Sequence, residues 1–289
     1  MADRFAPPAS VVVRTMGKDR LAQCDLGGFA DWAEATPDTR DTREKNDDWA
    51  GASFKDAQKF IRSGDLPGVA ASDKYLSDME SITPASRKWR IVPALAGGAV
   101  NVGAYLASSP MSMRIRQRMV AEGAPLTVFC DIVSSGGIGA KSLQKRGAAV
   151  LALVRALSIN RPVTVYAVAG MKDSRANGSA FVMVNIPQPL DLARAAFMLA
   201  HPAAVRQLAY ACGPRLHGHD ANGSLHWAWD DCDRYRRVGC KLYADAIGVD
   251  AADCLFVPPP HMNDAVMDNP AKWLADMMQK YGGALEEAA

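Results

Sequence analysis

Asp131-Ile-Val-Ser134-Ser135-Gly136-Gly137-Ile138-Gly139 brings a carboxylate, two hydroxyls and bare backbone together between an apolar run and a helical one. At the carboxyl end of a strand and the amino end of a helix, free N–H groups and the helix dipole favour an anionic ligand. Lys141 and Ser142 follow directly. A phosphate-binding loop needs G-x-x-x-x-G-K-[ST]; the frame here is Ser135-GGIG-Ala140-Lys141-Ser142, so both defining glycines are missing. The expectation is a partner or ligand surface built from Asp131, Ser134, Ser135, Gly136, Gly137 and Lys141. The plainer reading is a tight strand-to-helix turn whose glycines allow close packing. A metal- or phosphate-dependent enzyme at 131–142 is the weaker chemical reading, and no catalytic residue is assigned.

Two further clusters carry chemistry by residue type. Ala85 to Val120 holds six basic residues (Arg87, Lys88, Arg90, Arg114, Arg116, Arg118) and no acidic one. On a strand Arg114, Arg116 and Arg118 share one face, and three co-facial guanidinium groups suit successive phosphates. The bland alternatives are an edge strand protected by charge, or ion pairs with carboxylates elsewhere in the fold. Cys212, His217, His219, His226, Cys232 and Cys240 gather zinc-type ligands within 29 residues. No C-x2-C or H-x3-5-H spacing orders them, so an exposed polar loop is the expectation there. GxSxG, HExxH and CxxC are absent.

The elements that position these residues follow from length and patterning. The chain has 289 residues, 49% of them hydrophobic and 22% charged, with a net charge of +2. That composition excludes a disordered or fibrous chain, and no global field draws the molecule onto a polyanion. Six cysteines and a start without a signal-like pattern fit a reducing cytoplasm, with Cys130 and Cys254 as small hydrophobes in strand-like runs. Ile91 to Met113 carries no charge for 23 residues, yet its glycines, prolines and serines argue against a membrane span.

Residues 1–48 read as a flexible, mildly acidic arm, with VVVRT as a short strand at most. Residues 49–124 read as a small helical and basic part, with Ser53 and Ser72 as helix caps. From 125 to 289 the order is a buried strand (126–133), a helix (141–158), a strand (162–171), an Asn177-Gly178 hairpin, a strand (179–186), three helical stretches, a strand near 254 and a final helix. That alternation predicts an α/β fold: a mainly parallel, Rossmann-like sheet with helices on both faces and one antiparallel strand.

An Asp at the end of a buried strand, small hydroxyl residues after it, then helix and strand pair, resembles a von Willebrand factor A-like domain. In that family a D-x-S-x-S turn holds a divalent cation. Here the spacing is D-x-x-S-S with Val133 at the first serine position, so only Asp131 and Ser135 match. W-A-G-x-S-F at 49–54, N-V-x-x-Y-L-x-x-x-P-x-x-M at 101–113 and L-x-x-x-A-F-x-L-A-H-P from Leu192 to Pro202 are similar to proteins of tailed phages and prophages without an assigned activity. The resemblance implies a phage-encoded, non-catalytic adaptor in the host cytoplasm. It docks a protein partner, such as an AAA+ ATPase or another phage protein, at the strand-end surface. A nucleic-acid accessory factor using Arg114, Arg116 and Arg118 is the alternative.

Overall fold

The computed structural model describes residues 6–37, 47–82, 89–118, 125–173, 178–218, 225–227, 232–260 and 268–282. β1 (Val12–Met16) and β2 (Asp19–Asp25) form a hairpin turned at Gly17, whose φ of 63° suits a residue without Cβ. β2 runs into α1 (Leu26–Ala35), capped by the Asp25 carboxylate, which accepts the Gly28 N–H at 2.7 Å. After the short α2 (Asp47–Ala50) comes α3 (Phe54–Ser63), where Ser53 and Asp56 form a reciprocal cap. α4 (Leu66–Ile82) begins six residues before Ser72, so Ser72 is not its cap. Ser72 is buried and accepts a hydrogen bond from Arg155 at 2.6 Å.

β3 (Trp89–Ala94), β4 (Ala99–Val100), α5 (Val102–Leu106) and β5 (Met113–Arg118) make a separate antiparallel sheet of three strands, with β5 in the middle. The uncharged stretch Ile91–Met113 falls within this unit, and no described helix is long and apolar enough to cross a membrane.

β6 (Leu126–Asp131) leads to α6 (Ala140–Asn160), β7 (Val163–Asp173) and β8 (Gly178–Ile186). β7 and β8 pair antiparallel down to Asp173↔Gly178; the rest of the expected Asn-Gly turn, including Asn177, lies outside the described residues. α7 (Leu192–Ala200) is followed by a π-helical turn (Ala204–Ala209) and α8 (Tyr210–Cys212), then by β9 (Leu225–Trp227), α9 (Cys232–Ile247), β10 (Cys254–Val257) and α10 (Pro270–Gly282).

The main sheet runs β1-β2-β8-β7-β6-β10, with β9 added on β7. β2–β8, β6–β7 and β6–β10 are parallel; β1–β2, β7–β8 and β7–β9 are antiparallel. The fold is therefore α/β with a mixed sheet, and parallel pairing prevails only in the β7-β6-β10 half. Strand alternation sorts side chains into two cores. Val128, Cys130, Val165, Ala167, Val182 and Val184 face the larger one with α1, α3, α6, α7 and α10. Leu21, Phe129, Val168, Phe181 and Met183 face the other, covered by Tyr243 and Ala244 of α9. Helices do lie on both faces.

The flexible arm expected over 1–48 is corrected for residues 11–36. β2 is inserted between β1 and β8, and Phe29 and Trp32 of α1 are core residues. The sequence hid this because the partner that orders β2 lies some 150 residues downstream, beyond the reach of local patterning. The expected division at 49 and 125 does not follow the packing either: α3 and α4 lie on α6 and α7, and Ile61 belongs to the larger core.

Candidate functional site

The strand-end turn is held from three directions. Asp131, 1% exposed, closes its own backbone: Oδ1 accepts the Val133 N–H at 2.8 Å. Ser134 is buried as well, and Ser135 Oγ accepts the Gly137 N–H at 3.4 Å. Arg146, in the second turn of α6, donates to the Asp131 carbonyl at 3.1 Å and the Pro258 carbonyl at 2.6 Å, tying the ends of β6 and β10 together.

The third hold is Arg206, in the π-helical turn and 1% exposed. It donates to Ser134 Oγ at 3.2 Å, the Ser135 carbonyl at 3.0 Å and the Ile138 carbonyl at 2.7 Å, and also to the Trp49 carbonyl. Its guanidinium lies 4.2 Å from the centre of the Trp49 ring, while Trp49 Nε1 donates to the Gly136 carbonyl at 2.9 Å. Gln207 beside it donates to the Ala52 carbonyl at 2.6 Å. Segment 49–52 thus straps the turn to the π-helical turn. Burial lowers the Arg206 pKa from 12.5 to about 10, so the group stays charged near neutrality. π-helical turns often mark functional places in helices, and here the turn carries the arginine that holds the loop.

What remains outward is a rim of Gly136, Gly137, Gly139, Lys141 and Ser142, all exposed. α6 has Gly139 at its N-cap, so no side chain caps it, and its first turn holds no acidic residue. A Cβ added at Gly136 or Gly139 would meet nothing within 4 Å, and neither glycine has positive φ. The fold therefore does not require glycine at these two places.

Of the expected site residues, Asp131 and Ser134 are buried scaffold, Ser135 is half-buried, and Gly136, Gly137 and Lys141 form the surface. The expected cation site on Asp131 and Ser135 does not fit. Asp131 Oδ1 and Ser135 Oγ each accept a backbone N–H, and the Arg206 guanidinium already places a positive charge against this turn. No group of three metal-ligating side chains occurs among the described residues. Cys212 and Cys240 do not converge: Cys212 is buried in the larger core, and Cys240 packs against the smaller one. Burial raises the Cys212 thiol to about 12. His219 lies outside the described residues, as do the side chains of His226 and Cys232.

Arg114, Arg116 and Arg118 do fall on alternate positions of one strand, β5, opposite Pro93, Ile91 and Trp89 of β3. Arg87 and Lys88 lie outside the described residues. Arg206 and Trp49, which hold the turn, carry no motif that marks them in the sequence. The available signal was the Arg206-Gln207 pair set within an otherwise apolar helical run, since a buried guanidinium always needs acceptors.

The family described as Domain of unknown function (DUF7192) matches the chain over residues 13–281. No curated protein and no solved structure matches it.

Proposed function

The chain belongs to the DUF7192 family, and we propose that it is a non-catalytic adaptor of phage origin that docks a protein partner on the rim Gly136–Lys141. One observation carries this reading. Gly136 and Gly139 leave the backbone bare where neither packing nor φ demands it, on a turn that Arg206 and Trp49 hold rigid. Bare, preorganised backbone lets another chain approach closely at small entropic cost. Lys141 and the uncapped start of α6 favour an acidic partner segment. The polar groups that a reaction would need are turned inward and hydrogen-bonded, which supports docking over catalysis.

The strand order β8-β7-β6-β10, with a helical crossover from β6 to β7 and β8 antiparallel beside it, supports the von Willebrand factor A-like reading. Buried free thiols at Cys24, Cys130 and Cys212 suit the host cytoplasm. A gene neighbour, such as an AAA+ ATPase or another phage protein, is the expected partner. Co-expression with the products of adjacent genes tests this. A partner should co-purify with the wild type and be lost with Gly136→Trp or Lys141→Glu, both folded by circular dichroism. A partner retained equally by both variants overturns the reading.

A further inference from the structure

We infer that the small sheet β3-β5-β4 binds single-stranded nucleic acid along its arginine-bearing face. Residues 85–120 contain six basic side chains and no carboxylate, in a chain whose net charge is only +2. β3 pairs with β5 along its whole length and β4 pairs with it at Met113 and Arg114, so Arg114 sits on a strand bonded on both sides and is not the charged guard of an edge. Alternation puts Arg114, Arg116 and Arg118 in one row, at a repeat of about 6.7 Å. That repeat is close to the spacing of phosphates along an extended single strand.

The row beside them on the same face is Trp89, Ile91 and Pro93, with Ala99 on the other side. Ile91 is 59% exposed, and Tyr105 on α5 is 66% exposed. The exposed Ile91 and Tyr105, in a unit whose central strand carries arginine at every second position, suit unstacked bases next to their phosphates, whereas a duplex keeps its bases stacked inside. The sheet also stands apart. Its elements have no extensive packing against any described element of the main body, and Leu95, Val100, Val102, Leu106 and Met111 are exposed too. An exposed apolar surface of this extent marks an interaction site, and the unbalanced positive charge selects a polyanion as its occupant.

The test uses the full chain and a fluorescent oligothymidine 20-mer, read by anisotropy between 50 and 300 mM NaCl. Three phosphate contacts predict a slope of log K on log salt of about −2. Arg114→Ala/Arg116→Ala/Arg118→Ala should lose at least tenfold in affinity and most of that slope, with an unchanged circular dichroism spectrum. Trp89→Ala should weaken binding about fivefold or more. Gly136→Trp, on the docking rim, should leave the anisotropy titration unchanged, so the two readings fail separately. Salt-independent binding, binding unchanged in the triple variant, or binding to phosphatidylserine vesicles without binding to the oligonucleotide overturns the inference.

Discussion

The turn at 131–142 and the sheet at 89–118 handle their polar and charged groups in opposite ways. In the turn, Asp131, Ser134 and Arg206 are buried and hydrogen-bonded to the fold itself, and only bare backbone and Lys141 face outward. In the sheet, Arg114 and a set of large apolar side chains are exposed, and no described element of the main body packs extensively on the sheet. The contrast teaches that the residues with the most chemical promise in a sequence can serve as scaffold. A plain basic, apolar stretch can be the surface instead.

The largest expected break in that contrast is Arg206→Ala. It removes the donor for the Ser134 hydroxyl and for the carbonyls of Trp49, Ser135 and Ile138. A loss of about 3 kcal/mol or more is expected in urea denaturation, because these acceptors stay buried. Gly147→Ala comes next. Its Cβ would sit 2.0 Å from Ala200 Cα, where α6 crosses α7, and overpacking of this kind costs about 1–3 kcal/mol. The same denaturation assay reads it.

Proton linkage separates the regions less strongly. Burial raises the Cys130 and Cys212 thiols from 9.0 to about 12. Between those values the unfolded chain releases protons that the folded chain keeps, so these thiols lower stability as pH rises from about 9 to 12. Arg206 acts in the opposite sense from about 10 to 12.5, because the folded state loses its proton first. The two thiols outweigh the one arginine, so the urea midpoint should fall between pH 9 and 11, and fall less in Cys130→Ala. At the small end, Gly136→Ala and Arg114→Ala should each change stability by less than about 0.5 kcal/mol, since nothing packs on the first and the second is exposed.

What could be read in advance was local. The reciprocal cap of Ser53 and Asp56 is contained in four residues, and the apolar run of β6 declares a strand buried on both faces. The alternation of Arg114, Arg116 and Arg118 placed them on one face before any fold was known. What could not be read depends on distant partners. β2 looks like an isolated polar-flanked run until β8 lies beside it. Arg206 looks like a lone charge in an apolar helix until Trp49 and the carbonyls at 135 and 138 surround it. Cys212 and Cys240 fall in one Cys- and His-rich stretch of the sequence but pack in separate cores.

The insertion of β2 between β1 and β8 has a consequence in time. During synthesis the amino-terminal hairpin leaves the ribosome without a neighbour, and β8 follows about 150 residues later. At roughly 5–20 residues per second that is a wait of about 8–30 s. Throughout it, Leu21, Ala22 and Cys24, buried in the finished fold, stay wet, a natural substrate for nascent-chain chaperones.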